Sequence, residues 1–151
     1  MNISTLTHHE LYRPGSSTNG CSVTERRSTD FAVDGHSLLQ ALVKVDGGHA
    51  DFMGCFVKGC LEQSAKSAAA FLLQAPAQTG SGRVLIYICP ECGDIGCGAY
   101  SVRISASDST YIWESFAYEN GYEEPRAIEG VGPFKFDKHL YESAIRDAAA
   151  L

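Results

Sequence analysis

The chain has 151 residues, of which 44% are hydrophobic and 20% are charged. This length and composition are typical of one globular domain that buries its own core, and they exclude a chain dominated by low-complexity disorder. Eighteen acidic residues against twelve Lys and Arg give a formal net charge of −6. That balance disfavours nucleic acid as a partner, because phosphate binding depends on Lys and Arg, and it favours a basic protein partner.

The apolar runs of the chain are short. AAAFLL, residues 68–73, and VLIYIC, residues 84–89, are far below the roughly 20 residues that cross a bilayer. The N-terminal stretch MNISTLTHHE lacks the basic and apolar regions of a secretory signal. We therefore expect a cytoplasmic protein without a membrane partner, whose six cysteines are reduced thiols or metal ligands.

Polar residues dominate the beginning of the chain. Residues 1–28 are interrupted by Pro14-Gly15 and Asn19-Gly20, a pattern that indicates a loose, flexible arm or a weak hairpin. Residues 29–151 then form a single globular domain. The predicted domain boundary therefore lies at residue 28.

A short strand at residues 31–35 is followed by two predicted helices. The first lies between His36 and Gly47, and the second begins near Leu61 and ends before Pro76. The residues predicted to be buried are Leu38, Leu39, Leu42 and Val43 in the first helix, and Leu61, Ala65, Ala68 and Leu72 in the second. Ser67 is predicted to face water.

Three strands joined by short turns occupy about residues 83–118 and predict an antiparallel β-meander. A C-terminal helix follows, with Asp137 as its N-cap and with Phe136 and Tyr141 as a hydrophobic staple. Its predicted buried stripe comprises Leu140, Ala144, Ile145 and Ala148. The predicted fold class is therefore α+β, a β-meander packed with three helices in a single domain.

The segment ICPECGDIGCGAY, residues 88–100, contains Cys89, Cys92 and Cys97. A C-x-x-C turn with Pro and Gly has the form of a zinc knuckle, in which backbone amides point at the thiolates. Structural zinc takes four ligands, so a fourth is missing locally. The distant candidates are Cys21, Cys55, Cys60, His36 and His49, and Asp94 is a poorer local one.

Two other interpretations of this cysteine loop remain open. In the first, the glycines Gly93, Gly96 and Gly98 simply form a tight connection between two strands, and the cysteines pack as small apolar residues. In the second, the thiols carry out redox chemistry. A redox C-x-x-C pair normally opens a helix, and GDIGCG does not read as one, which disfavours that interpretation.

Residues 113–129, WESFAYENGYEEPRAIE, form what we call the acidic aromatic segment. Aromatic side chains beside unpaired carboxylates are suited to bind a basic protein. The candidate partner-binding residues are Trp113, Glu114, Glu119, Tyr122, Glu123, Glu124 and Glu129. In the alternative interpretation, Trp113 and Phe116 belong to the core and the glutamates only solvate a strand end.

No nucleotide-binding, phosphate-binding or nucleophile-elbow motif is present, so the sequence predicts no catalytic residues and no enzyme. CPECGDIGCGAY, FAYENGYEEP and GPFKFDKHLYESAI together resemble a family of small bacterial proteins, some of them described as oxidoreductases. The resemblance implies no catalytic residues. A small acidic chain of this kind is also similar in its general type to bacterial immunity proteins, which neutralise a cognate toxin by binding it. This similarity does not rest on specific residues.

Two functional hypotheses follow from the sequence. The first is a non-catalytic cytoplasmic binding protein, an immunity protein whose acidic aromatic segment binds a basic toxin and needs no cofactor. The second is a small protein that uses Cys89, Cys92 and Cys97 to bind zinc or for thiol redox chemistry.

Overall fold

A computed structural model describes residues 2–150 and confirms the α+β fold. The helices are α1 (Leu38–Asp46), α2 (Leu61–Phe71) and α3 (Lys138–Ala149), with one turn of 3-10 helix at Ile95–Cys97. The strands are β1 (Ile3–Ser4), β2 (Leu6–Arg13), β3 (Ser16–Thr18), β4 (Cys21–Val23), β5 (Arg26–Val33), β6 (His36–Ser37), β7 (Met53–Gly54), β8 (Val84–Ile88), β9 (Ala99–Ala106), β10 (Thr110–Glu119), β11 (Arg126–Ala127) and β12 (Phe134–Asp137). No helix in this part of the chain has both the length and the apolar character needed to cross a membrane.

The largest sheet is built around the predicted meander. Its strand order is β1-β12-β10-β9-β8-β7, and β11 pairs with β10 beside that path. Strands β8, β9 and β10 pair antiparallel in sequence order, which confirms the meander. Strand β1 pairs with β12 in parallel, so residues 3–4 lie beside residues 135–136 near the other end of the chain.

The N-terminal segment pairs with the remainder of the chain. Strand β2 pairs antiparallel with β5 along all eight positions, from Leu6 opposite Val33 to Arg13 opposite Arg26. The boundary predicted at residue 28 therefore falls inside β5. Polar residues suit β2 because half of its eight positions are exposed, so the sequence reads as hydrophilic although the strand is paired.

The core is centred on Trp113, whose side chain is fully buried. Its ring meets Phe31 edge to face, with ring centroids 5.6 Å apart, and it meets Tyr141 in the same way at 5.9 Å. Trp113 Nε1 donates to Tyr141 Oη at 3.1 Å, and that hydroxyl donates to the Phe71 carbonyl at 2.7 Å. These two bonds satisfy both buried polar groups and join β10, α3 and the end of α2.

The start of α3 agrees with the sequence prediction. The Asp137 carboxylate accepts the Leu140 amide at 3.0 Å, and the rings of Phe136 and Tyr141 stack with centroids 5.7 Å apart. The predicted stripe needs one correction, because Leu140 is exposed while Tyr141 takes the buried position beside Ile145.

Helix α2 presents a different face to the core from the one that was predicted. Leu61 is 74% exposed, whereas Ser67 is buried. The polar side chain of Ser67 can be buried there because its hydroxyl donates a hydrogen bond to the Cys55 carbonyl at 3.2 Å. A count of apolar side chains misses such a residue, because its burial depends on a partner from a distant loop.

Candidate metal-binding site and its acidic neighbour

Three cysteines come together on the loop between β8 and β9. The Sγ atoms of Cys89, Cys92 and Cys97 all lie within 4.8 Å of one another, close enough to hold a metal ion. Cys92 Sγ and Cys97 Sγ are 2.9 Å apart. Cys89 is half-buried, while Cys92 and Cys97 are exposed, so the cluster opens to solvent on one side.

Local turns determine the path of this loop. The Gly93 amide donates to the Cys89 carbonyl at 2.9 Å and closes the C-x-x-C turn. The Asp94 carboxylate then accepts the Gly96 amide at 3.3 Å and caps the 3-10 turn that carries Cys97. Asp94 is thus used as a cap, as expected for Asp before a helical turn.

The loop reaches β9 through Gly98, and only glycine fits at that position. Its φ is +97°, in the left-handed region that other residues rarely adopt. A Cβ added there would also lie 2.7 Å from Cζ of Tyr118. The Tyr118 ring from β10 therefore packs directly against the backbone of the cysteine loop.

The pKa values of Cys89 and Cys97 are shifted in opposite directions. Partial burial raises the pKa of Cys89, but backbone amides of Cys92 and Glu91 hydrogen-bond its sulfur and bring the pKa below its ordinary value. Contact with the Cys92 and Cys89 sulfurs raises the pKa of Cys97 to about 12. Because the Cys97 thiol holds its proton tightly without a cation, a bound metal ion would favour its ionisation.

No fourth cysteine, histidine or carboxylate of residues 2–150 joins the three sulfurs at this distance. Asp94 is occupied as a cap. Cys55 is buried elsewhere, where its thiol donates to the Leu85 carbonyl and burial raises its pKa to about 12. His49 instead accepts the Asp51 amide and stacks on Phe52. Cys21, Cys60 and His36, the remaining candidates from the sequence, also lie outside the cluster.

Residues of β2, β5 and the turn between β4 and β5 hold the C-x-x-C turn, a role that the sequence did not reveal. Arg13 Nη1 donates to Glu91 Oε2 at 2.7 Å, and Thr24 Oγ1 donates to Glu91 Oε1 at 2.7 Å. Arg26 Nε donates to the Pro90 carbonyl at 2.8 Å. The turn between Cys89 and Cys92 is therefore anchored from outside the loop.

Two residues predicted to bind a partner lie inside the protein. Trp113 is fully buried in the core described above. Glu119 is only 5% exposed, and its carboxylate accepts hydrogen bonds from the hydroxyls of Ser81 and Ser101. Neither can contact a partner in this conformation. Trp113 follows the alternation of β10, and Glu119 is buried because serines replace the water around it.

The other predicted partner-binding residues are exposed. They are Glu114, Tyr122, Glu123, Glu124 and Glu129. Tyr122 is 84% exposed, an unusual position for a large aromatic side chain. Asn120 Oδ1 accepts the amides of Tyr122 and Glu123 at 2.9 and 3.0 Å, so a defined turn carries these two residues.

The cysteine loop and the acidic aromatic segment are neighbours. A Cβ added to Gly96 would lie 3.4 Å from Tyr122 Oη, and one added to Gly121 would lie 3.5 Å from Ile95 Cγ2. Ile95 also lines a cleft of about 420 Å³ together with Glu123 and Glu124. The pairing of Tyr118 with Tyr100 and of Glu119 with Ala99 causes this, since it aligns the end of β10 with the start of β9.

A buried carboxylate on β5 forms a second polar cluster that the sequence analysis missed. Asp30 accepts from Ser37 Oγ at 2.6 Å and from the Tyr87 hydroxyl, and it lies 3.2 Å from His9 Nε2. It also accepts the Leu39 amide at 3.5 Å. These bonds join β2, β5, β8 and the first turn of α1, so the geometry assigns Asp30 a structural role.

Comparison of the chain with known protein families, with curated proteins and with solved structures gives no match. The resemblance of the cysteine loop and the C-terminal segment to a bacterial family therefore stays an expectation from those residues. The function is therefore inferred from the geometry of the chain's own residues.

Proposed function

We propose that this is a small zinc-binding protein whose ion is held by Cys89, Cys92 and Cys97. The supporting observation is that all three sulfurs lie within 4.8 Å of one another. Thiolates are soft ligands that select zinc among the common divalent ions. Sulfurs bound tetrahedrally at roughly 2.3 Å from zinc are about 3.8 Å apart, so the cluster needs only small movements to bind the ion.

The surroundings of the cluster favour this proposal. Backbone amides hydrogen-bond the Cys89 sulfur, as they do in zinc knuckles, and lower its pKa. Arg13 and Thr24 hold Glu91 in the middle of the C-x-x-C turn. An anchored turn loses less conformational entropy when it binds the ion, which increases affinity.

With three sulfurs, the fourth position of the ion would be filled by water or by a group from another molecule. Cys92 and Cys97 are exposed, so that position would be accessible. Three protein ligands with one open position resemble catalytic zinc sites more than closed structural ones. The proposal concerns binding of the ion and assigns no catalytic role to residues 2–150.

Cobalt substitution tests the proposal. Co²⁺ bound to several thiolates gives intense sulfur-to-metal charge-transfer absorption, and we expect it to saturate at about one ion per chain. Cys92→Ser should weaken this binding strongly. Cys21→Ser is the matched control, because Cys21 is also exposed but lies outside the cluster. Equal spectra for both variants, or no charge-transfer band in the wild type, would contradict the proposal.

A second function, binding of a basic protein such as a cognate toxin, is favoured by one observation. Tyr122 is 84% exposed and stands beside exposed Glu123 and Glu124, with no basic side chain hydrogen-bonded to either carboxylate within residues 2–150. An exposed aromatic side chain such as Tyr122 anchors a complex when it is buried against the partner, while the carboxylates of Glu123 and Glu124 attract a basic partner. In this second proposal the protein is an immunity protein that acts without catalysis.

The test of this second function uses the proteins encoded beside its gene, because immunity and toxin genes are adjacent. Wild type should bind one of them, and the double variant Glu123→Lys/Glu124→Lys should associate more slowly and with a weaker salt dependence. Glu62→Lys/Lys66→Glu is a control, because it reverses an exposed ion pair on α2 without changing net charge. Unchanged kinetics in the first variant would exclude this surface.

A further inference from the structure

Cys92 and Cys97 are in direct contact. Their Sγ atoms are 2.9 Å apart, which is about 0.9 Å longer than a disulfide bond. Conversion of this contact into a covalent bond therefore needs little movement of either side chain. The C-x-x-C pair, in contrast, is the one that the sequence pattern singles out for redox chemistry.

The same two thiols are open to solvent. Cys92 and Cys97 are exposed, Cys89 is half-buried and Cys55 is buried. A small oxidant in solution therefore reaches the contacting pair directly, whereas Cys55 is covered. Exposure combined with a neighbouring thiol is the arrangement of cysteines that oxidise reversibly, because the second thiol traps the first oxidation product as a disulfide.

We propose that a peroxide oxidises Cys92 and Cys97 to a disulfide, and that formation of this disulfide expels the bound zinc ion. In the first step the thiolate of one cysteine breaks the peroxide O–O bond, becomes a sulfenic acid and releases water after protonation. The second thiolate then attacks that sulfur, forms the S–S bond and displaces hydroxide, which takes up a second proton and leaves as water. Two electrons pass from the sulfurs to hydrogen peroxide, two protons are taken up, and zinc keeps its charge.

Loss of the ion follows from the number of ligands. A disulfide sulfur is a poor zinc ligand, so only the Cys89 thiolate remains to hold the ion. The loop accommodates the new bond because the bridged segment contains Gly93 and Gly96. The expulsion step rests on the proposed zinc binding, whereas the disulfide step is independent of it.

The disulfide is tested first on metal-free protein treated with hydrogen peroxide. We expect the loss of two hydrogen masses, reversed by a phosphine reductant. Glu91 separates Cys89 from Cys92, and Asp94 separates Cys92 from Cys97, so two digests identify the bond. After cleavage on the C-terminal side of Glu91, a Cys92–Cys97 bond lies within one peptide, and the peptide that carries Cys89 is separate. After cleavage on the N-terminal side of Asp94, the same bond links the peptide that carries Cys92 to the peptide that carries Cys97. Any other pairing, or oxidation without a disulfide, overturns the proposal.

The expulsion is tested on protein loaded with Zn²⁺, with a coloured chelator that reports the free ion. Peroxide should release about one equivalent from the wild type and from the control Cys21→Ser. Retention of zinc by protein that carries the Cys92–Cys97 bond overturns the expulsion step. If no zinc binds at all, the proposed function fails, while the digests still decide the disulfide.

Discussion

Arg13 and Glu91 form an ion pair that joins the N-terminal strand β2 to the turn between Cys89 and Cys92. Arg13 Nη1 lies 2.7 Å from Glu91 Oε2, and the same guanidinium holds Asp51 through Nε at 2.8 Å. The two residues are 78 positions apart in sequence. The cysteine loop is therefore positioned by a segment that its own sequence does not identify.

Arg13→Ala should loosen this turn. We expect the free energy of unfolding to fall by about 1–3 kcal/mol, because several charge-assisted hydrogen bonds are lost, and zinc affinity to fall about tenfold. The control is Arg27→Ala, since Arg27 makes an exposed pair with Glu10 and should cost less than about 1 kcal/mol. Urea denaturation and metal titration measure both effects. Similar affinity losses in the two variants would contradict the anchoring role.

The Glu91 contacts also predict a pH dependence. Hydrogen bonds from Arg13 and Thr24 lower the pKa of Glu91 from 4.5 to about 2. Between pH 4.5 and about 2, the Glu91 carboxylate takes up a proton in the unfolded chain but not in the folded protein. Its contribution to the free energy of unfolding is therefore complete above pH 4.5 and is lost as the pH falls toward 2. Wild type and Glu91→Gln, both metal-free, should therefore differ most near neutral pH and converge in acid. A difference that grows in acid would contradict the assignment.

The cysteine loop and β10 meet at Gly98, so Gly98→Ala should be strongly destabilising. The positive φ and the contact with the Tyr118 ring together predict a loss of about 2–4 kcal/mol. Gly80→Ala is the control, because a Cβ there meets nothing within 4 Å and we expect a change below about 0.5 kcal/mol. Equal denaturation midpoints for the two variants would show that the Tyr118 contact is absent.

Tyr141→Phe tests the hydrogen-bonded core. The substitution leaves Trp113 Nε1 and the Phe71 carbonyl without partners, and we expect a loss of about 1–3 kcal/mol in chemical denaturation. Tyr111→Phe removes a hydroxyl that bonds Glu142 near the surface and should cost less than about 1 kcal/mol. A smaller loss for Tyr141 than for Tyr111 would contradict this account of the core.

The features that could be predicted from the sequence are local ones. The strands of the meander and the cap at Asp137 each depend on residues within a few positions of one another. The staple formed by Phe136 and Tyr141 is of the same kind. These elements were predicted correctly because short-range sterics and hydrogen bonding are sufficient to specify them.

The features that were missed depend on distant partners. Trp113 and Glu119 were assigned to a partner-binding surface because aromatic and acidic residues are interleaved in this segment, yet the sheet alternation and two serine hydroxyls bury them. The role of Arg13 required knowledge of where Glu91 lies. The adjacency of the cysteine loop and the acidic aromatic segment depends on the β9–β10 register, which neither segment encodes alone.

The zinc content of the purified protein tests the central claim most directly. The account predicts about one zinc ion per chain by elemental analysis in wild type and in Cys21→Ser, and nearly none in Cys92→Ser. It also predicts that a chelator removes the ion and lowers the melting temperature of the wild type. Protein that is purified under reducing conditions, folds stably and neither carries nor takes up zinc would contradict it.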